Sequence, residues 1–196
     1  MRNLFIDLIH KEMATNRDIV FLTADMGINL VEKIQRDYPS RYYNVGIAEQ
    51  NLIGIAAGLA QCGFKPFAYT ISNFLTIRAL EQIRNDIVLH KLPVTLVGTS
   101  TGFDNGPLGP THHMLEDWGI LSAMPNLQIF CPSKKESVDT IFNLCLRSES
   151  PNYVRIPKGN GVDGELQKNS NNHTLVLTYG SASSFAIEYA SSKYCD

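Results

Sequence analysis

The run Asn44-Val45-Gly46-Ile47-Ala48-Glu49-Gln50-Asn51, continued by Leu52-Ile53-Gly54-Ile55-Ala56-Ala57-Gly58-Leu59-Ala60, constrains the chain more than any other. A short β-prone stretch (Tyr42, Tyr43, Val45) ends at Gly46, and a helix of alanine, glycine and aliphatic residues begins. Nearly every later position is small or apolar, so this helix must be buried on most of its faces. One carboxylate, Glu49, stands in its first turn. Desolvation at the mouth of a buried helix favours the neutral acid. The helix dipole favours the anion, by about 0.3–1 kcal/mol. Taken alone, Glu49 is either an ordinary first-turn residue completing a cap or a functional acid.

A helix buried on most sides needs a sheet and further helices around it, and the flanking pattern supplies them. Leu4, Phe5, Leu8, Ile9 and Met13 recur at helical spacing, giving an amphipathic opening helix to about residue 16. Residues 18–23 form a nearly continuous apolar strand, as expected for a sheet covered on both faces. A turn (Ala24-Asp25-Met26-Gly27) and a helix over 30–38 follow, and Gly63 closes the buried helix. The next strand is 64–70. Ser72 or Asn73 is placed to cap a long helix, 74 to about 90, with Leu75, Ala79, Ile83, Ile87 and Val88 inward. Strand 93–98 leads into a polar, glycine-rich loop, 99–113, whose length marks it as functional. A helix over 116–123 with Trp118 packed, a strand over 127–131, a helix opened by a Ser133/Glu136 capping box, and a strand over 152–156 complete the pattern. Alternation at this pace predicts an α/β fold: a three-layer sandwich with a mostly parallel sheet and helices on both faces. Residues 158–172, rich in Gly, Asn and Asp, read as a linker, and 174–194 as one more strand and helix. One strand and one helix cannot bury a core of their own. They are either the start of a second domain or an appendage.

Composition narrows the function classes. At 196 residues and a net charge of −2, with no basic stripe, nothing suggests nucleic acid. No apolar run has membrane-spanning length, and no apolar leader opens the chain. The four cysteines form no CxxC pair, and Cys62, Cys131 and Cys145 lie in apolar segments as core thiols. All of this fits a cytoplasmic globular protein. Two adjacent histidines, His112 and His113, with no third ligand at useful spacing, make no metal site. There is no P-loop, no GxGxxG and no nucleophile elbow. Glycine-rich turns at the strand ends gather Asp25, Glu49, the region of Phe74 and the histidine loop on one sheet edge, where open α/β folds bind ligands.

Four motifs in order, VGIAEQN…AAGLA, NFL…EQIRND, GPTHH…ED and MPN…P, resemble the pyrimidine-binding domain of the transketolase family of thiamine-diphosphate enzymes. The resemblance covers roughly residues 18–159. It is greatest to the C-terminal half of split, two-subunit transketolases, with a secondary likeness to deoxyxylulose-phosphate synthase. It implies a pyrimidine-binding domain over 1–159, a linker over 160–173, and the start of a truncated C-terminal transketolase domain over 174–196. It further implies that Glu49 hydrogen-bonds the N1′ nitrogen of the cofactor's aminopyrimidine and that Phe74 stacks on that ring. Ile71, Asp25 and Met26 match positions near the cofactor. His112 matches a histidine that handles the donor hydroxyl proton. Arg155 matches an arginine that holds a sugar phosphate, a task suited to its forked donors.

Three positions depart from the pattern. Leu108 stands where the family carries an acid, Ser100 where it carries a phosphate-binding histidine, and Asn29 where it carries a serine. These departures point to an unusual or modified sugar or a non-standard acceptor, with Ser100 and Asn29 as candidate substrate contacts. The GDG…N pattern that binds the diphosphate and Mg²⁺ in this family is missing from the sequence. The resemblance therefore implies half a site, completed by a diphosphate-binding partner subunit in a heterotetramer acting on phosphorylated sugars. Two other readings share the motifs: a synthase of the deoxyxylulose-phosphate type or a 2-oxo acid dehydrogenase beta-type subunit, and a truncated copy that only binds a partner.

Overall fold

Strand β1 (Ile19–Thr23) is apolar at four of five positions and fully buried, so it can only be central. In a computed structural model, which describes residues 1–161, 178 and 180–194, it pairs on both sides. Its neighbours are β2 (Tyr42–Asn44) and β3 (Lys65–Ile71). Beyond β3 come β4 (Thr95–Thr99), β6 (Asn152–Ile156) and the edge strand β5 (Gln128–Phe130). Among the described residues all six strands are parallel, in the order β2-β1-β3-β4-β6-β5. One register row runs Asn44–Thr23–Tyr69–Val97–Val154–Phe130, so all six described strands end within two residues of one line.

Alternate side chains feed two cores. Val20, Leu22, Ala68, Leu96 and Tyr153 face helix α3 (Glu49–Gln61), a wide helix over 74–88 and α5 (Asp117–Ser122). Phe21, Phe67, Tyr69, Val97 and Val154 face α1 (Arg2–Glu12), α2 (Glu32–Asp37) and α6 (Ser137–Arg147). This is the three-layer α/β sandwich that the sequence predicts. The expected strand at 174–179 lies outside the described residues apart from Thr178, as does Cys195. A short 3₁₀ turn (Gly180–Ala182) precedes the terminal helix α7 (Ser183–Tyr194).

Several local expectations fail for physical reasons. The long helix after β3 is not a regular α-helix. It comprises π-helical Phe74–Arg78, one α-turn α4 (Leu80–Gln82) and π-helical Ile83–Val88. Its buried stripe, Leu75, Ala79, Ile83 and Ile87, steps by four residues. Such a stripe drifts around a helix of about 3.6 residues per turn, and wider turns keep it facing the sheet. Ser72 caps nothing, because its hydroxyl donates to the Thr99 carbonyl (2.9 Å). The Ser133 capping box does not form either. Helix α6 starts four residues later, with the Ser137 hydroxyl donating back to the Lys134 carbonyl at 2.7 Å. Trp118 is 40% exposed rather than packed in the core.

Cys62 is also exposed, because it is the residue that ends α3. Burial pushes the Cys131 and Cys145 thiols up to about 12. A thiol reagent at mildly alkaline pH should therefore label Cys62 in the folded chain and Cys145 only after unfolding, as read by peptide mass spectrometry. Labelling of Cys145 at the rate of Cys62 would contradict this packing. Strand β4 carries the tightest constraint in the sheet. A methyl group on Gly98 would meet Ser72 Oγ, Tyr153 Cε2 and Tyr153 Oη, each at 2.8 Å. Those atoms belong to fully buried side chains with no room to retreat. Gly98→Ala should cost about 1–3 kcal/mol, read as a fall in the denaturant midpoint at unchanged slope.

Candidate functional site

In a parallel sheet, a site forms where successive crossovers leave in opposite directions. Here β2 lies on one side of β1 and β3 on the other, so the loops after β1 and β3 part at the C-terminal edge. The N-terminus of α3 opens onto the same edge, because the chain enters it directly from β2. The Asn44 side-chain oxygen ties these pieces together, accepting from the backbone N–H of Asp25 (2.9 Å) and of Gly46 (3.0 Å).

Glu49 is 2% exposed, and no side chain caps α3, so it does not serve as the capping residue. Its carboxylate instead accepts from Arg78 Nη1 at 2.7 Å. The Arg78 guanidinium lies over the Phe74 ring, 4.2 Å from its centroid. On the same ring the His112 imidazole makes an edge contact, centroids 5.1 Å apart. Glu49, Phe74 and His112, expected from the sequence, thus meet in one cluster with Arg78 at its centre. Sequence reading missed Arg78, although a cation four residues after an aromatic on a helix is a recognisable pair. The Gln50 side chain donates to the Arg78 carbonyl (3.2 Å) and anchors that backbone to α3.

The histidine loop is pinned rather than loose. Gly102 and Met114 exchange backbone hydrogen bonds (2.8 and 2.9 Å), closing the loop on itself. The Asn73 amide donates to the His113 carbonyl (2.7 Å). Thr111 Oγ1 lies 3.0 Å from His112 Nδ1, and His113 Nε2 3.3 Å from the Gly106 carbonyl. The two histidines therefore turn to different surroundings, His112 towards Phe74 and His113 against Phe103.

The remaining expected residues spread along the edge. Ile71 is half-buried at the end of β3. Asp25 is exposed in the left-handed region (φ 47°). Met26 is half-buried, and its carbonyl accepts from Thr23 Oγ1 (2.8 Å). Asn29, exposed with φ 61°, lies in the turn before α2 and donates its backbone N–H to Glu32 Oε1. Ser100 is wholly buried at φ 59°, its hydroxyl without a partner among the described residues.

Arg155 is 5% exposed. Its Nε donates to Asp117 Oδ2 (2.8 Å) and its Nη2 to the Met114 carbonyl (3.0 Å). The Tyr153 hydroxyl donates to the same Asp117 oxygen (2.7 Å). Burial, and then the Asp117 charge, push the Tyr153 phenol well above its ordinary value, so it remains a donor. Asp117, a second residue that sequence reading missed as functional, thus anchors the floor of the loop. No group of three or more His, Cys, Asp or Glu side chains among the described residues could hold a metal ion. No helix among them is long and apolar enough to cross a membrane.

A family model described as "Transketolase, pyrimidine binding domain" matches residues 1–162. A putative transketolase C-terminal section of Methanocaldococcus jannaschii is 37% identical over 142 residues, 72% of this chain and 45% of that protein. A 1-deoxy-D-xylulose-5-phosphate synthase 1 of Geobacter metallireducens is 37% identical over 167 residues, 84% of this chain and 26% of that protein. Among solved structures, one described as "Split gene transketolase, inactive beta4 tetramer" superposes with a TM-score of 0.73 at 33% identity. That match covers 85% of this chain and 53% of the other. The chain therefore spans between about a quarter and about half of the length of these relatives.

Proposed function

Since the chain belongs to the transketolase family through its pyrimidine-binding domain, we propose that it is the pyrimidine-binding subunit of a two-component, thiamine-diphosphate-dependent enzyme. That enzyme would transfer a two-carbon ketol unit between phosphorylated sugars. The observation that carries this reading is the buried Glu49 carboxylate beside the Phe74 ring, with a flat cation already between them. An acid and an aromatic plane so placed suit a flat nitrogen heterocycle that stacks and hydrogen-bonds at once.

Thiamine diphosphate, when bound, supplies the nucleophilic carbon for the transfer. Glu49 would hold the proton shared with the pyrimidine N1′ nitrogen, and Phe74 would fix the ring's plane. Ile71, Met26 and Asp25 would border the cofactor along the edge. His112, held by Phe74 and Thr111, would move the proton of the donor hydroxyl. Asn29 and Ser100 stand as candidate sugar contacts, Ser100 only if the loop above it opens. Arg155 reaches a sugar phosphate only by leaving Asp117, so we assign it the task of holding the loop that carries His112.

Diphosphate and Mg²⁺ would bind a partner subunit, in a cytoplasmic heterotetramer, with residues 160–173 a linker and 174–196 the opening of a further domain. Turnover should appear when a chain carrying the GDG…N pattern is added to this one. Two-carbon transfer between sugar phosphates without release of carbon dioxide from pyruvate supports the reading. Pyruvate decarboxylation would favour the synthase or dehydrogenase alternatives, and no turnover with either donor would leave a partner-binding copy.

A further inference from the structure

The guanidinium of Arg78 is planar, cationic and rich in N–H donors. It stacks 4.2 Å from the Phe74 centroid and donates to Glu49 at 2.7 Å. These are the two interactions that the proposed function assigns to the aminopyrimidine ring. We propose that Arg78 is a latch: in the free chain its guanidinium fills the slot between Phe74 and Glu49, and a flat nitrogen heterocycle must displace it to bind. This inference rests on the cofactor reading above.

The geometry favours a latch over a fixed strut. Arg78 is 44% exposed while Glu49 is 2% exposed, so one partner can swing into solvent and the other cannot. The Arg78 carbonyl is held by Gln50, which confines the movement to the side chain. A buried carboxylate without a partner is costly. The latch keeps Glu49 compensated until a ligand with its own donors arrives, and it keeps water off the Phe74 face. Wide turns over Phe74–Arg78 aim the arginine back over its own aromatic neighbour.

A latch reduces apparent affinity by the fraction of time the slot is closed. With one cation–π contact and one half-exposed ion pair, that fraction corresponds to about a tenfold loss. The probe is thiamine, which carries the aminopyrimidine without the diphosphate, titrated into the full chain with and without the diphosphate-binding chain. Calorimetry should show Arg78→Ala binding thiamine about tenfold more tightly than the unaltered chain, with Arg78→Lys between them. Guanidinium ion at low millimolar concentration should reverse the gain in Arg78→Ala, because it refills the vacated slot, and should leave the unaltered chain unchanged.

A second readout needs no substituted slot. The Arg78 side-chain Nε–H signal, assigned through Arg78→Lys, should shift to the position of a solvent-exposed arginine as thiamine saturates the chain. Binding that depends on Phe74 but is equal or weaker in Arg78→Ala, with the Nε–H signal unmoved, overturns the latch alone. Binding indifferent to Phe74→Ala, or no saturable binding by any form of the chain, overturns the cofactor reading and the latch with it.

Discussion

Replacing Glu49 by glutamine is expected to lower kcat for ketol transfer by about 10²–10⁴-fold, the range for loss of a positioned acid–base group. The measurement is steady-state turnover of the chain combined with a diphosphate-binding subunit. Glutamine keeps the size of the side chain and an acceptor oxygen for Arg78, so the fold should survive. It carries no acid proton to share with a ring nitrogen. The loss should therefore fall on kcat, with sugar KM little changed, because the side chain is assigned to the cofactor and not to the sugar. Far-ultraviolet circular dichroism and the unfolding midpoint should match those of the unaltered chain. Turnover within about threefold of the original would remove Glu49 from the chemistry, since even a modest general acid–base role exceeds that. Glu49 would then be a buried partner of Arg78 and nothing more.

Glu49 also shows where sequence reasoning reaches and where it stops. Its burial follows from the composition of α3, because a helix of Ala, Gly and aliphatic residues has nowhere to go but inside. Strand β6 coincides with its expected bounds, since proline and a polar turn limit it on both sides. The partner of Glu49 was not legible, because Arg78 lies 29 residues away and reaches it only through the π-turns of the intervening helix. Hydrogen-bond signals proved the least legible. Ser72 and Ser133 both look like helix caps, yet Ser72 is drawn to Thr99 on a neighbouring strand and the helix after Ser133 begins late. A local pattern states what a side chain is able to do, and tertiary neighbours decide which option wins. Cys62 is the converse case. Its apolar neighbours suggested burial, but a residue at a helix end faces whatever the turn faces. Arg155 read from sequence as a match to a phosphate-holding arginine, and only the fold brings Asp117 to within 2.8 Å of it.

That buried pair sets the second large effect. Asp117→Ala should destabilise the folded chain by about 3–5 kcal/mol, the usual result of breaking a buried ion pair from one side. Asp117 is 0% exposed and Arg155 5%, so water cannot replace the missing carboxylate without opening the loop. Two donors lose their acceptor together, the Arg155 Nε–H and the Tyr153 hydroxyl. Against a typical domain stability of about 5–15 kcal/mol, the loss should appear as a large drop in the urea midpoint. The double variant Asp117→Leu with Arg155→Met tests the cause. If the cost comes from breaking the Asp117–Arg155 pair, replacing both charges by apolar groups should recover more than half of the stability, because the pair's desolvation cost goes with it. If the single variant loses less than about 1 kcal/mol, the pair is not closed off from solvent and the burial argument fails. If the double variant recovers stability but not turnover, the pair's lasting contribution is to the His112 loop. Arg155 also grips the Met114 carbonyl, so its removal frees the strand of chain that positions the histidine.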